Sequence, residues 1–336
     1  MIRTRGGGRA AGAAGAAGVV GAADPGAGAR WVDPATLSRI GDLELLARTV
    51  VEGFVAGLHR SPFLGLSVDF AEHRPYMPGD DIRKVDWRVY ARTDRFYVKQ
   101  YEAETNADVV FALDASRSMD YGSAGVTKLD YARYLTACLA HLAGGQRDRV
   151  GAAVYSRGLD EFVAPSVRHR RRVLAALDRA GSDEGGAGPG PGGTAGPTHD
   201  PVLALDQLAG NLGRRGIVVV ASDLYAGPER IVEAVGRLKN RGQDVIVFHV
   251  LDPAEVDFPF EQPRSFEDLE TGERMPLAPE DVREEYLSRI EGHVAEVARR
   301  LLEQQVDHEL VVTSTPLDAA LFNYLSRRAR RLKGRY

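Results

Sequence analysis

Asp114, Ser116 and Ser118 stand at alternate positions directly after an apolar run, Val109-Val110-Phe111-Ala112-Leu113. Alternation along an extended segment turns the three to one side. One carboxylate and two hydroxyls are hard oxygen donors, the set that suits Mg²⁺ or Mn²⁺. A second apolar run, Val218-Val219-Val220-Ala221, ends in Ser222-Asp223. Thr194 and Thr198 lie in the segment before the helix expected from Pro201, and either can add a hydroxyl. Each residue also has a plainer reading. Asp and Ser are ordinary helix caps, Asp223 suits a loop, and so do the threonines. The buried strand before Asp114, with Asp223 after another, favours the metal reading for the Asp-x-Ser-x-Ser group.

The elements that must position these residues alternate in type. Apolar runs at 109–113, 150–155, 217–222 and 244–251 read as buried strands, with further strands at 162–167 and 308–312. Helical spacing covers 128–142, 171–179, 201–212, 229–239, 279–305 and 317–332. Continuous apolar strands separated by helices predict an α/β fold, a mainly parallel sheet with helices on both faces. In such sheets function gathers at the carboxyl ends of the strands, where Asp114 and Asp223 fall. Upstream, residues 1–30 form a Gly/Ala-rich tail expected to be disordered. Residues 31–60 read as an N-terminal helix opened by Asp33-Pro34, and 61–106 as a small β-rich subdomain. Residues 107–336 form the main domain, interrupted at 181–200 by a flexible Gly/Pro loop. Glu270-Thr271-Gly272-Glu273 is a hairpin-type turn.

Composition narrows the class. The 336 residues are 44% hydrophobic, and Lys plus Arg (43) nearly balance Asp plus Glu (47), for a net charge of −4. That is an ordinary globular chain and no bulk-charge nucleic-acid binder. A single cysteine, Cys138, excludes an intramolecular disulfide or a cysteine zinc cluster and fits a reducing compartment. It lies on the apolar face of a helix and reads as core. No apolar run approaches the roughly 20 residues of a membrane-spanning helix. The basic stretches at 168–172 and 327–333 read as solvated faces.

Asp-x-Ser-x-Ser after a buried strand, a loop threonine and a later Asp resemble the metal-ion-dependent adhesion site of von Willebrand factor A domains. Upstream, Gly65-Leu66-Ser67-Val68-Asp69-Phe70, Arg74-Pro75-Tyr76, Pro78-Gly79-Asp80-Asp81-Ile82-Arg83, Asp86-Trp87 and Ala91-Arg92 look like the signature of a bacterial domain-of-unknown-function family. That family has a von Willebrand factor A-like fold and is associated with MoxR-type AAA+ ATPases. The resemblance implies Asp114, Ser116, Ser118, Thr198 and Asp223 as the metal set, with Thr198 preferred to Thr194 because it stands nearer the following helix. It implies Mg²⁺ or Mn²⁺ as the ion and a MoxR-type AAA+ ATPase as partner. An acidic residue of a partner or client would complete the cation's shell. Many relatives carry transmembrane helices; this sequence has none, and a cytoplasmic location is expected.

The expectation is therefore a non-enzymatic, cation-dependent protein-binding module with an adaptor or chaperone-like role. The alternative is a metal-dependent phosphoryl-transfer or hydrolytic enzyme using Asp114 and Asp223. Haloacid-dehalogenase-like chemistry needs Asp-x-Asp, and Ser116 stands where the second acid is required. The phosphate-binding Gly-x-x-x-x-Gly-Lys-Ser/Thr loop, Gly-x-Ser-x-Gly and the dinucleotide fingerprint are missing. The acids and bases of 80–88 are expected to form a structural ion-pair network.

Overall fold

The computed structural model describes residues 2–4, 33–37, 39–58, 73–75, 90, 92, 94–99, 107–181, 200–213 and 215–333. They divide into two units, Met1–Phe54 with Ala107–Tyr336, and Val55–Asn106.

In the larger unit, β4 (Asp108–Asp114), β5 (Arg149–Tyr155), β6 (Leu159–Ser166), β7 (Ile217–Ser222), β8 (Asp244–Leu251) and β11 (Asp307–Val312) form one sheet of order β11-β8-β7-β4-β5-β6. All neighbours are parallel except β5 and β6. The predicted α/β class is the one observed. Val110, Ala112, Val218, Val220, Val245 and Val247 share one core cluster with Leu205, Leu208, Ile231, Leu238, Val297 and Leu301. Three helices supply those partners: Pro201–Asn211, Pro228–Asn240 and Pro279–Glu303. The alternate residues Val109, Phe111 and Leu113 are also buried. The helix Lys128–Gly145 packs on that side of the sheet, together with Arg170–Arg179 and Leu317–Lys333. Burial on both faces is why these strands read as unbroken apolar runs. The antiparallel edge is irregular. Its register shifts between Val150 and Ala152, and a Cβ at Gly151 would lie 2.6 Å from the Val163 carbonyl oxygen.

The chain winds outward from β4 through β5 and β6, then returns to start β7 on the other side of β4. The winding direction reverses between β4 and β7, so their carboxyl ends flank the crevice where doubly wound sheets place ligands. Both candidate acids sit there.

Two expectations change at the N-terminus. The single helix expected over 31–60 is two, Pro34–Leu37 and Leu43–Leu58. The break is set by Asp42, whose carboxylate accepts the N–H groups of Glu44 and Leu45 at 2.8 and 3.0 Å and so caps the second helix. Within the Gly/Ala-rich segment, Ile2–Thr4 (β1) is a strand, paired antiparallel with β9 (Arg264–Asp268), which also pairs with β10 (Arg274–Leu277). The rest of 1–30, and 182–199 of the Gly/Pro loop, lie outside the described residues.

In the smaller unit, β2 (His73–Pro75) pairs antiparallel with β3 (Tyr97–Lys99), and Tyr90 stacks on Phe96 with ring centroids 4.4 Å apart. This hairpin agrees with the expected β-rich character. The Asp80–Trp87 segment lies outside the described residues.

Candidate metal centre at the sheet switch point

The parallel register pairs Leu113 with Ala221, so the next residues out, Asp114 and Ser222, leave the sheet side by side. Asp114 is fully buried, and Ser116, Ser118 and Asp223 are nearly so. Asp114 Oδ1 accepts the N–H of Ser116 at 2.9 Å, which bends the chain back over the strand end. Asp114 Oδ2 accepts the hydroxyl of Ser222 at 2.6 Å. The hydroxyls of Ser116 and Ser118 are 3.1 Å apart. The two hydroxyls lie beside each other at the end of the strand that carries Asp114, but a bend after Asp114 and a 3₁₀ turn bring them there rather than the alternation of an extended segment. Ser116 leads into a short 3₁₀ turn, Arg117–Asp120, which contains Ser118, ahead of the helix whose N-cap is Thr127.

Asp223 comes from the neighbouring strand. Leu224, directly after it, adopts a left-handed backbone with φ 52° and donates its N–H to Ser222 Oγ at 3.1 Å. A bulky residue in that region costs on the order of 1 kcal/mol, a strain common at functional sites. Asp223 Oδ2 accepts from the Lys128 ammonium at 2.7 Å, and Glu255 Oε1 from the same ammonium at 2.9 Å. All three side chains are buried. The Lys128 ammonium also lies 4.7 Å from the centroid of the Tyr225 ring. Burial pushes the Asp223 carboxyl up, but Lys128 and the Ser118 hydroxyl outweigh it and hold the group below its usual range. For Glu255 burial wins over Lys128, and its carboxyl is pushed up to about 7. One ammonium thus serves two acids unequally.

The donor set fits a small hard cation. With ligands at about 2.1 Å, adjacent oxygens of an octahedral Mg²⁺ shell lie about 3.0 Å apart, close to the 3.1 Å between the two serine hydroxyls. Asp114, Ser116, Ser118 and Asp223 would hold the ion. Thr194 and Thr198 lie outside the described residues. Among the described residues no group of three or more His, Cys, Asp and Glu side chains has a metal-site arrangement, so the hydroxyls are essential to the candidate.

Sequence reading missed four participants, one of them Glu255, which pairs with Lys128. Ser222 was visible only as the neighbour of Asp223. Lys128 opens an amphipathic helix and looks like an ordinary exposed cation, yet it is buried among the acids. Glu270, from the loop between β9 and β10, accepts the backbone N–H of Ser118 at 2.9 Å. They are 152 positions apart in the chain, and no local pattern announces that contact. The basic stretch at the C-terminus is ion-paired at its start rather than simply solvated. Arg327 and Arg328 pair with Glu309, Asp307 and Asp244. Cys138 is buried, and burial pushes its thiol up, as for an inert core residue.

Fold and site together define a doubly wound α/β protein with a hard-oxygen cluster at its switch point. Residues 72–296 match the family described as "Protein of unknown function DUF58", and the chain belongs to that family. It is 29% identical over 277 residues to the uncharacterized proteins Mb1516 of Mycobacterium bovis and Rv1480 of Mycobacterium tuberculosis, covering 80% of this chain and 82% of each relative. Among solved structures, BatB from Bacteroides thetaiotaomicron is similar at 19% identity and a TM-score of 0.42, over 67% of this chain and 99% of that one. The pilus adhesin SpaC from Lactobacillus rhamnosus GG is similar at 11% identity and a TM-score of 0.37, over 66% of this chain and 30% of that one. Among the described residues no helix is long and apolar enough to cross a membrane.

Proposed function

We propose that this protein is a divalent-cation-dependent protein-binding module of von Willebrand factor A type, and that it carries out no catalysis of its own. The observation that carries the reading is the cluster of Asp114, Ser116, Ser118 and Asp223, buried at the ends of two adjacent parallel strands. Bound there, Mg²⁺ or Mn²⁺ would supply a positive centre for an incoming carboxylate. The chain's own residues do the rest. Asp114 and Asp223 set the charge, and the two hydroxyls fix the ion's position without neutralising it. Ser222 and Lys128 orient the acids, and Thr198 is the preferred further hydroxyl. An acidic residue of a partner or client then becomes the last ligand. The sequence resemblance points to a MoxR-type AAA+ ATPase as the associated machine. In that arrangement the ATPase supplies force, and this chain supplies recognition, as an adaptor or chaperone-like partner in remodelling another complex.

The test compares tagged wild type with Asp114→Ala, each used to isolate partners from native lysate with Mg²⁺ and with EDTA. Partners retained only by wild type with Mg²⁺ are expected. The same AAA+ ATPase or client in all four samples would remove the cation from recognition.

A further inference from the structure

The described residues of the larger unit line a cavity of about 370 Å³ that the cation cluster does not use. Its walls come from the short helix Pro253–Asp257, the β9–β10 hairpin and the start of the helix Pro279–Glu303. Six of the lining side chains are aromatic: Tyr121, Tyr225, Phe258, Phe260, Phe266 and Tyr286. The wall is preformed. The Phe258 ring packs against Tyr286, Phe260 and Phe266 with centroids 4.6, 5.1 and 5.9 Å away. Phe258 itself ends the short helix in a left-handed backbone, φ 45°. The Arg283 guanidinium fixes that turn by donating to the carbonyls of Phe258 and Phe260 at 2.6 and 2.5 Å. A bulky residue keeps such a conformation only where its surroundings over-determine it.

Polar groups in the cavity are few, and they converge. The Tyr225 hydroxyl stands next to Glu255 and the Tyr286 hydroxyl. It is buried, yet among the described residues it makes no hydrogen bond of good geometry, and an unmet buried donor is costly. The charges that line the cavity are already paired, Glu255 with Lys128 at 2.9 Å and Glu285 with Arg289 at 2.5 Å. A ligand there meets aromatic faces, compensated charges and one hydroxyl in want of a partner. A largely apolar cavity of this size with a few convergent polar groups is the usual form of a small-molecule site.

We propose that this cavity binds a neutral small molecule with a flat apolar body and one hydroxyl or carbonyl oxygen, the body packed among the rings and the oxygen bonded to the Tyr225 hydroxyl. The proposal stands without the cation reading.

The experiment uses the full chain and two probes of the same shape, 2-naphthol and naphthalene, with affinity read by equilibrium dialysis at neutral pH. Tyr225→Phe removes the hydroxyl and keeps the ring. Val282→Trp and Leu277→Trp each fill the cavity, and Leu302→Trp puts the same bulk at an exposed position that does not line it. Circular dichroism checks the fold of each. Wild type is expected to bind 2-naphthol saturably and more tightly than naphthalene. Tyr225→Phe should weaken 2-naphthol about three- to tenfold and leave naphthalene unchanged, a result that decides the matter even if both filled variants unfold. A folded Val282→Trp or Leu277→Trp should bind neither probe, and Leu302→Trp should bind both as wild type does. No saturable binding by wild type, equal affinity for the two probes, or filled variants that keep the fold and bind normally would each overturn the proposal.

Discussion

Charge is handled in opposite ways at two places on this sheet. At the switch point, Lys128, Asp223 and Glu255 are dry, and each side chain is held by another. At the β11 edge, Arg327 and Arg328 meet Glu309, Asp307 and Asp244, and in the Arg327–Glu309 and Arg328–Asp244 pairs one partner is open to water. The attraction between unit charges is several-fold stronger in a poorly hydrated site, but the desolvation penalty is larger too. A dry trio contributes little net stability while making each member indispensable to the others. A wet pair contributes little and is dispensable. Position and conformation are fixed at the first site and merely decorated at the second.

The comparison is broken most directly at Lys128. Lys128→Met leaves Asp223 and Glu255 buried without a counter-charge and is expected to cost about 3–5 kcal/mol in urea unfolding. A loss under 1 kcal/mol would mean that water reaches the trio. A middle effect is expected at His308, which sits on the edge strand but is mostly enclosed. Burial, then Arg327, lowers its pKa to about 4, and its Nε2 lies 3.4 Å from Nδ1 of His249. The native state therefore binds fewer protons here than the unfolded chain between about pH 4 and 6.5. Stability is lost as pH falls through that window, at about 1.4 kcal/mol per pH unit for this group. His308→Gln should flatten the acid limb of a stability-versus-pH curve by that slope; an unchanged slope would mean the ring is solvated. The smallest effect is expected from Arg327→Ala. Its guanidinium is 68% exposed, and the change should cost under about 1 kcal/mol and shrink further in added salt.

The sheet was legible because its strands are buried on both faces, which leaves an unbroken apolar signature in 109–113, 217–222 and 244–251. The Asp114, Ser116, Ser118 and Asp223 cluster was legible for a related reason. Each residue sits at a strand end, and parallel strands bring their ends together. The missed residues lack any such local rule. Lys128 occupies a position that propensity assigns to solvent, and only the tertiary placement of two acids makes its burial tolerable. Glu270 reads as a turn residue, since turn chemistry explains its type without reference to Ser118. The split of the N-terminal helix was hidden by apolar spacing that continues through Gly41 and Asp42, where the capping of Glu44 and Leu45 overrides periodicity.

The Lys128, Asp223 and Glu255 trio also constrains how this chain can change over time. A buried lysine facing two carboxylates tolerates no single replacement that alters charge. Losing the lysine strands both acids, and losing Asp223 shifts the whole burden of the ammonium onto Glu255, whose own carboxyl resists ionisation. Viable sequence drift at position 128 must therefore pass through simultaneous change at 223 or 255. Across related chains the three positions should vary in concert or stay fixed, while Arg327 and Glu309 drift independently.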